Sequence, residues 1–389
     1  MRRRIDANCI QRFFLRTALS LVLALLLPAA FSCTPGSVAH AFAMQESPVA
    51  APTITTKAAR NGAVIVSLTG TTPSATVHYT VDGSTPAAAS PIYQAPFLVF
   101  ANATVKAYAT LAGHADSAVA SLSFKRNIAP GTLVWSDEFT NATGANQQPD
   151  PTVWGYDTGH NGFGNHELED YCAWGSDKAP CDPANPNAWV GTDGYLHVVA
   201  RKNAEGAYTS ARLSTQGHFS LQYGRLEARI KVEEAQGLWP AFWTLGNNIA
   251  TVHWPASGEQ DIMERVNAAL DPDWNEGSIH GTGFIGDTGL GTKYFFPKGE
   301  TAEGWHTYGM IWKKDSVAYY IDDPSKPYVV YTNPESITKF PGAVWPFDPG
   351  DSAFMILNLA VGGDWPGKPD AKTEFPASLL VDYVRLYAN

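Results

Sequence analysis

The sequence predicts an all-β protein with two sandwich domains, the larger of which spans residues 132–389. Within this span, apolar residues alternate with polar ones or run together over a few positions, as at 195–201, 224–232 and 317–321. A period of two is typical of strands that bury one face. Polar turns separate these segments, and we find no long stretch with helical apolar spacing. A domain of this size and pattern suits one large antiparallel sandwich with Greek-key connections.

A smaller domain is predicted between residues 47 and 125. Its β-prone segments are short and are divided by Gly, Pro and Asp turn signals; they lie at 63–68, 76–81, 97–100 and 104–110. This spacing is typical of an immunoglobulin-like sandwich. The polar segment 126–131, which ends in Pro130-Gly131, is the predicted linker to the larger domain.

Residues 1–43 have the features of a signal peptide. Arginines at positions 2, 3, 4, 12 and 16 precede an apolar run at 18–31, which is too short for a membrane-spanning helix. Ala41-Phe42-Ala43 supplies a small-x-small cleavage signal. We therefore expect a secreted protein, extracellular or periplasmic, without a membrane span. The residues up to Cys33 are also similar to a lipoprotein box, so a lipid anchor at Cys33 is the alternative.

Cysteine usage agrees with export. Cys9 and Cys33 lie in the signal region, which leaves Cys172 and Cys181 in the mature chain. These two cysteines lie nine positions apart in a loop rich in Gly, Pro and Asp, which offers too few ligands for a metal site. In an oxidising compartment, such an isolated pair is best explained as a structural disulfide.

Composition limits the partners of the chain. The net charge of −10 disfavours nucleic acid and anionic membrane surfaces as partners. It also disfavours a polyanionic substrate, because carboxylates in a cleft would repel it. Aromatic residues make up 12% of the chain and include twelve Trp. Rigid aromatic rings suit the flat apolar faces of extended sugars, although β-rich cores use Trp as well. We expect a monomeric protein.

The segment at 254–267 reads WPASGEQDIMERVN and places three acids, Glu259, Asp261 and Glu264, on an apolar predicted strand. On a regular strand Glu259 and Asp261 share a face, whereas Glu264, five positions after Glu259, points to the other face. A β-bulge adds one residue and shifts the alternation, which returns Glu264 to the face of the other two. With such a bulge, the three carboxylates would stand in a row on one side of a sheet.

Three neighbouring carboxylates repel one another, so at least one of them is expected to have a raised pKa and to hold a proton at neutral pH. An ionised and a protonated carboxyl flanking a sugar ring are the groups that hydrolyse glycosides, at a separation of about 5–5.5 Å when the configuration is retained. The alternative is a solvated acidic strand edge, because a spaced triplet of acids arises easily by chance in an acidic protein.

The residues around the acids resemble the active-site strand of glycoside hydrolase family 16. They are closest to its laminarinase-like bacterial members, which have WPA, a small residue, GE-x-DIME and this bulge. The resemblance implies that Glu259 is the nucleophile, Glu264 the general acid/base and Asp261 the carboxylate that tunes both. Over residues 132–389 it implies a β-jelly-roll sandwich with an open cleft on its concave sheet. Gln260 departs from the family's apolar residue, but it faces away from the acids.

The same resemblance implies further cleft residues. The loop 161–171, NGFGNHELEDY, matches the family loop on the non-reducing side of the cleft, with Asn165, Glu167 and Tyr171 placed to contact sugar hydroxyls or to brace the loop. Arg212 is expected either in the cleft, where a guanidinium binds hydroxyls or a catalytic acid, or in a salt bridge within the sheet.

Three tryptophans are expected beside the acids. In the segment 237–246, GLWPAFWTLG, alternation puts Trp239 and Trp243 on one face and Phe242 in the core. Trp254 is the third candidate for stacking on the sugar at the cleavage point. A lone Trp more often belongs to a core, but three that match the family pattern favour the cleft.

The remaining candidates for the cleft lie further along the chain. The resemblance implies that His280 hydrogen-bonds near the acids, where it would hold Asp261 or Glu259 ionised. The alternative for His280 is a histidine satisfied within the core. Asn358 and Trp365, in the C-terminal part of the domain, are also implied to contribute to the cleft.

The segment LLVDYVRLY at 379–387 places Asp382 among apolar residues on one strand face, where a carboxylate needs a partner. The resemblance implies a structural calcium ion on the convex side with Asp382 as a ligand, and Glu138 is a second candidate ligand. The alternative is a salt bridge with Arg or Lys. Calcium would stabilise the fold only, and no cofactor is expected in catalysis.

The segment 77–86, VHYTVDGSTP, resembles the small β-sandwich appended to chitobiase and to many other secreted glycosidases. Such a module either binds carbohydrate or acts as a spacer. The spacer is favoured, because the candidate aromatics Tyr79, Tyr93 and Tyr108 suit the core of the module equally well.

These features together predict an exported endo-β-1,3-glucanase that hydrolyses laminarin-type β-glucan by a retaining double displacement. A β-1,3-1,4-glucanase (lichenase) and a transglycosylase are the alternatives, because the fold does not determine the linkage or the acceptor. A non-catalytic β-glucan-binding protein is disfavoured, because relatives of that kind lack the catalytic glutamates and this chain has both Glu259 and Glu264.

Overall fold

The computed structural model describes residues 47–267, 273–286, 289–348, 350 and 352–389. The predicted signal peptide, with Cys9 and Cys33, lies outside the described residues, so export and the lipid-anchor alternative stay predictions. In the described ranges, no helix is long and apolar enough to cross a membrane.

The N-terminal module is a sandwich of two three-stranded antiparallel sheets. Its strands are β1 (Thr53–Ala58), β2 (Val64–Thr69), β3 (Thr76–Thr80), β4 (Phe97–Val99), β5 (Ala103–Thr110) and β6 (Ala120–Phe124). One sheet has the order β1-β2-β4 and the other β3-β5-β6. Val66 and Val105 are fully buried, Tyr79 belongs to the same apolar core and Tyr93 packs against it. The predicted small sandwich is therefore confirmed, and its aromatics serve its core.

The module is attached directly to the larger domain. Ser220 of the larger domain donates its backbone N–H to Pro96 O at 2.9 Å and accepts the backbone N–H of Leu98 at 3.3 Å. Leu98 is buried in the same apolar cluster as the core of the larger domain. Asn61 Nδ2 donates to Leu133 O at 2.8 Å. The module therefore does not hold the larger domain at a distance, whereas its role as a spacer from the cell surface and the domain boundaries stay predictions.

The larger domain is a sandwich of short and medium strands. Its first strands in the described residues are β7 (Leu133–Asp137), β8 (Gly155–Asp157), β9 (Glu169–Tyr171), β10 (Ala188–Val190), β11 (Leu196–Lys202), β12 (Tyr208–Ser210), β13 (Arg212–Ser214), β14 (Gly224–Val232) and β15 (Leu238–Gly246). They are followed by β16 (Glu259–Glu264), β17 (Trp274–His280), β18 (Leu290–Phe295), β19 (His306–Lys313), β20 (Ser316–Ile321), β21 (Val329–Thr332), β22 (Ala353–Val361) and β23 (Ala377–Tyr387).

These strands form two sheets. The seven-stranded sheet has the order β18-β17-β16-β15-β22-β13-β8. The ten-stranded sheet follows the order β21-β20-β19-β14-β23-β11-β12-β9, with β10 paired to β11 and β7 paired to β23. Neighbouring strands are antiparallel except β9 and β12, which are parallel. Strands that adjoin in space, such as β15 and β22, lie far apart in the chain, so the predicted jelly-roll sandwich is confirmed.

The core lies between the two sheets, and strand β22 shows how the faces divide. Met355, Leu357 and Leu359 are fully or almost fully buried in the central apolar cluster. Ile356 and Asn358 alternate with them and lie on the opposite side of the seven-stranded sheet, which we call its outer face. The predicted functional residues lie on this outer face.

Loops rather than helices connect the strands. The regular helix in the described residues is one turn long, α1 (Ile249–Val252), with 3₁₀ turns at Arg60–Gly62 and Gly162–Gly164. Cys172, directly after β9, forms a disulfide with Cys181, and their Cα atoms lie 5.7 Å apart. The predicted disulfide is confirmed, and it closes the long loop beside the outer face.

A buried ion cluster holds the ends of β16 and β17. Arg265, directly after β16, binds Asp273 with two hydrogen bonds of 2.7 and 3.0 Å and contacts Glu234 at 2.5 Å. Asp273 also accepts the backbone N–H groups of Trp274 and Ala302, each at 2.8 Å. The side chains of Arg265 and Asp273 are almost completely buried. The cluster therefore fixes the strand that bears the acids against its neighbour.

Replacing Arg265 by Met should lower the free energy of unfolding by about 3–5 kcal/mol, because the substitution leaves two buried carboxylates without their cation. Urea unfolding followed by tryptophan fluorescence measures the change. The matched control is Lys326→Met, which breaks an exposed ion pair with Asp323 and should leave stability almost unchanged. An R265M protein as stable as the parent would contradict the importance of this cluster.

Candidate active site

Strand β16 contains the predicted bulge. Against β15, Ala241 pairs with Glu264 and Phe242 with Met263, but Trp243 pairs with Asp261, so the register shifts by one residue. Ile262 and Met263 are both buried in the central core. The alternation therefore changes within β16, and Glu259, Asp261 and Glu264 all lie on the outer face. Gln260 points inward and accepts a hydrogen bond from Thr244 Oγ1 at 2.9 Å, as expected.

Each of the three acids accepts a hydrogen bond from a neutral side chain. Trp254 Nε1 donates to Glu259 Oε2 at 2.8 Å, and Trp239 Nε1 donates to Glu264 Oε1 at 3.0 Å. Ser278 Oγ, from the next strand β17, donates to Asp261 Oδ2 at 2.7 Å. These donors orient the carboxyl groups, and two of them are the tryptophans that were predicted to line the cleft.

His280 is the cation of the site. It lies opposite Glu259 in the pairing of β16 and β17, with Nε2 3.3 Å from Asp261 Oδ2 and 3.9 Å from Glu259 Oε1. Burial lowers the pKa of His280, but the hydrogen bond and negative charge of Asp261, together with the glutamates, outweigh burial and raise this pKa to about 9. The predicted position beside the acids is confirmed, and the imidazole is protonated at neutral pH.

Burial and mutual repulsion raise the pKa of both glutamates. Burial, followed by the negative charge of Asp261, raises the pKa of Glu259 to about 8, and His280 partly offsets the increase. Burial and the charges of Asp261 and Glu259 raise the pKa of Glu264 well above its usual range. Because His280 stands beside Glu259, this glutamate has the nearest cation to favour its ionised form. The surroundings thus suit Glu259 as the ionised partner and Glu264 as the acid.

A chain of hydrogen bonds braces the other half of the outer face. Trp243 Nε1 donates to Asn358 Oδ1 at 2.8 Å, and Asn358 Nδ2 donates to the Tyr171 hydroxyl at 3.2 Å. Tyr171 donates to Glu167 Oε2 at 2.8 Å, and Asn165 Nδ2 donates to Glu167 Oε1 at 3.2 Å. Glu167 and Asn358 are buried. These hydrogen bonds agree with the bracing alternative for the loop and position Trp243, whereas a contact of Glu167 or Asn358 with substrate stays a prediction.

A second buried acid lies next to these hydrogen bonds and was not predicted from the sequence. Glu169, in β9, is 1% exposed, and its Oε2 accepts the backbone N–H of Val361 at 2.7 Å. Burial, together with the charge of Glu167, raises the pKa of Glu169 well above its usual range. The signal was its place two residues after Glu167, because extended backbone puts the side chains of residues two apart on the same side. Glu169 attaches the end of β22 to the loop.

Arg212 satisfies both expectations that the sequence left open. Its Nε donates to Asp157 Oδ2 at 2.9 Å, across the β8–β13 pair. Its guanidinium lies over the rings of Trp243, at 4.7 Å, and Phe163, at 5.1 Å. Arg212 therefore forms the salt bridge within the sheet and also borders the cleft. Asp157 and Phe163 were not predicted, because neither has a signal apart from this contact.

Aromatic rings border the acids on the remaining sides. Trp254, with 46% of its surface exposed, lies 6.5 Å from His280. Trp365, with 39% exposed, makes an edge contact with Trp239 at 5.5 Å and lies 6.1 Å from Trp274. The predicted tryptophans therefore meet at one site, and Trp274 joins them as a residue that the sequence did not single out.

Each of the two predicted calcium ligands is paired with an arginine. Asp382 binds Arg229 Nη1 at 2.7 Å, and Glu138 binds Arg385 through two hydrogen bonds of 2.8 and 3.1 Å. Both carboxylates are thus satisfied by guanidinium groups, and the salt-bridge alternative is correct for both. These side chains do not fit the calcium site that the resemblance implied.

One other group in the described part of the chain has metal-binding character. Glu259, Asp261 and His280 place one ligand atom each within 4.8 Å of one another. His280 Nε2 already faces Asp261, and the two carboxyl groups belong to the acid row. We therefore assign this group to acid–base chemistry and derive no metal role from it.

The fold and the site together define a class. A jelly-roll sandwich with two glutamates in different electrostatic surroundings, an aspartate and a histidine on one open face, bordered by tryptophans, is typical of a glycoside hydrolase. Residues 182–382 match the family described as glycosyl hydrolases family 16, and residues 56–121 match the chitobiase/beta-hexosaminidase C-terminal domain. The chain belongs to glycosyl hydrolases family 16. Both resemblances predicted from the sequence are confirmed.

Several similar proteins match this chain over about the length of its larger domain. A β-glucanase of Rhodothermus marinus is 38% identical over 263 residues, which are 66% of this chain and 84% of that protein. The catalytic domain of an endo-1,3-β-glucanase (laminarinase) from Thermotoga petrophila RKU-1 is 38% identical, with a TM-score of 0.57, over 66% of this chain and 98% of that one. An endo-β-1,3-glucanase from Pyrococcus furiosus is 36% identical, with a TM-score of 0.56, over 66% and 94%.

Replacing His280 by Gln should move the acidic limb of the kcat/KM–pH profile to higher pH. The protonated imidazole lowers the pKa of Glu259, so its removal raises that pKa and fewer molecules have an ionised Glu259 at pH 6. Initial rates between pH 4 and 10 on a soluble β-glucan measure the profile. The limb reports the coupled acids as a group rather than one residue.

The matched control for this profile is His197→Gln, because His197 pairs with Asp193 on the ten-stranded sheet. Its acidic limb should coincide with that of the parent. A limb that stays in place or moves to lower pH in H280Q would contradict the electrostatic role of His280.

Proposed function

We propose that this chain is an exported, retaining endo-β-1,3-glucanase that hydrolyses laminarin-type β-glucan. The observation that carries the proposal is the bulge in β16, which sets Glu259, Asp261 and Glu264 on one face with His280 beside Glu259. The printed names of two similar structures, both endo-β-1,3-glucanases, support the choice of substrate. The signal-like features of residues 1–43 support export.

In the first step of the proposed reaction, ionised Glu259 attacks the anomeric carbon of the sugar and forms a covalent glycosyl-enzyme. Glu264 gives its proton to the oxygen that leaves. The raised pKa of Glu264 suits this role, because the acid must still hold its proton when substrate arrives. His280 and the Trp254 N–H stabilise the ionised form of Glu259.

In the second step, Glu264 is ionised and accepts a proton from the water that attacks the glycosyl-enzyme, so two inversions retain the configuration. Asp261 stays fixed by Ser278 and His280, and its negative charge raises the pKa of both glutamates. The chain supplies every group that these two steps require, so the proposed reaction uses no cofactor.

Azide rescue tests the two roles separately. With a 4-nitrophenyl β-laminarioligosaccharide, E264A should form the glycosyl-enzyme and pass the sugar to azide with retention, giving a β-glycosyl azide. E259A has no nucleophile, so azide should displace nitrophenol directly and give the α-glycosyl azide. On laminarin, E264A should lose about 10²–10⁴-fold in kcat, because the natural leaving group requires the proton. Proton NMR of the products assigns the anomers.

The matched control is Glu205→Gln, an exposed carboxyl in the turn between β11 and β12, which should keep full activity. If E259A gave the β-azide or E264A the α-azide, the two roles would have to be exchanged. Full activity of either variant without azide would remove that residue from the mechanism.

A proton NMR time course on two polymers tests the substrate. Laminarin should be cleaved faster than barley mixed-linkage glucan, with β-anomeric reducing ends released first. Faster cleavage of the mixed-linkage polymer would make the protein a β-1,3-1,4-glucanase with the same mechanism. Elongated products in place of free reducing ends would indicate a transglycosylase. Early α-anomer would contradict retention, and no cleavage of either polymer would favour a glucan-binding protein.

A further inference from the structure

Strands β17 and β18 present a second group of side chains on the outer face, on the side of the acids away from β13. The pairing sets Glu276 opposite Glu264, Lys293 opposite Glu276 and Phe295 opposite Trp274. Alternation along β17 puts Trp274 and Glu276 on the same face as the residues that bind the acids. This group of side chains therefore extends from Glu264 through Glu276 to the edge strand β18.

The aromatic rings of this region lead outward from the catalytic acid. Trp239 donates to Glu264, and its ring lies 5.5 Å from that of Trp365. Trp365 in turn lies 6.1 Å from Trp274. Trp274 is buried beneath its neighbours, whereas Trp365 has 39% of its surface exposed. An apolar surface thus extends from Glu264 toward β18.

Phe295 ends this surface at the edge strand. It has 55% of its surface exposed, and it stands opposite Trp274 in the β17–β18 pair. Lys293 lies two residues before it on the same face, with Nζ 3.7 Å from the centre of the Trp274 ring. An exposed aromatic ring beside a hydrogen-bond donor is the combination that binds a sugar, whose ring has an apolar face and hydroxyls at its rim.

The direction of the chemistry decides which part of a glucan would lie here. Glu264 protonates the leaving oxygen, so the leaving portion of the chain starts beside Glu264. The half of the outer face near β13 is bordered by Arg212, which is bound to Asp157, and by the braced loop 161–171. Strand β17 adjoins β16 on the side away from that half, and its Glu276 pairs with Glu264, so a leaving portion that runs away from β13 would cross β17 and β18.

We propose that Trp274, Lys293, Phe295 and Trp365 form a leaving-side platform, a binding site for the β-linked glucose residues on the reducing-end side of the cleaved bond. Phe295 and Trp365 stack on sugar rings, and Lys293 donates to a hydroxyl. This proposal rests on the proposed glucanase function and adds to it: the platform favours long chains and cleavage away from the reducing end.

Two substrates test the platform in Phe295→Ala. Laminarihexaose places sugars on both sides of the cleaved bond, whereas 4-nitrophenyl β-laminaribioside has no sugar on the leaving side. The variant should lose about 10-fold in kcat/KM on the hexaose, equal to about 1.4 kcal/mol. Its rate of nitrophenol release should stay within about 2-fold of the parent rate, because the bioside places no sugar on the platform. A tenfold loss would require a contribution of about 1.4 kcal/mol from the platform, which this substrate does not receive. When the hexaose is cleaved in ¹⁸O water, the label identifies the cleaved bond. In the variant, the preferred cleavage position should move toward the reducing end of the hexaose.

Matched variants complete the test. Phe295→Trp keeps an aromatic ring and should restore the hexaose rate. Val330→Ala removes a side chain of similar exposure, 50%, from the ten-stranded sheet and should change neither substrate. Equal losses on both substrates in F295A, or no loss on either, would overturn the platform. Failure of the parent protein on both substrates would overturn the proposed function itself, and the platform with it.

Discussion

The geometry of this protein depends on one extra residue in strand β16. Regular alternation would point Glu264 into the apolar core, where an unpaired carboxyl is costly. The bulge directs Ile262 and Met263 inward together, and both are buried, so Glu264 reaches the outer face. Because β16 lies between β15 and β17, the same bulge determines which neighbours meet the acids: Trp243 on one side and His280 on the other.

The neutral donors to the two glutamates suit the proton transfers of the proposed mechanism. An arginine beside Glu264 would lower its pKa and remove the acid at neutral pH. Trp239 instead donates a neutral N–H to Glu264, which orients the carboxyl and leaves burial and repulsion to keep its pKa high. The cation of the site, His280, stands beside Glu259, the residue that the proposed mechanism uses as an ionised carboxylate. The surroundings of Glu264 thus favour its protonated form, whereas the cation beside Glu259 favours the ionised form of that residue.

The sequence predicted the features that depend on the position of a residue within a single strand. The shared face of Trp239 and Trp243 follows from counting positions along one strand, whereas the bulge was implied by the family resemblance. The hydrogen-bond partner of a residue cannot be found by such counting, because the order of strands in a sheet brings together residues far apart in the chain. Asn358 binds Tyr171 across 187 positions and Arg385 binds Glu138 across 247. For this reason the bracing role of Asn358 and the ion pair that replaces the expected calcium ligand required the structure.

The N-terminal module is connected to the site by the same kind of long-range pairing. Phe97 of β4 forms a bridge with Ser220, and the next residue, Leu221, forms a bridge with Ala353. Ala353 begins β22, the strand beside β15 in the seven-stranded sheet. The backbone of the module is therefore linked through two bridges to a strand that holds Asn358 beneath the cleft. Structural support of that sheet accounts for these contacts, and carbohydrate binding by the module is not needed to explain them.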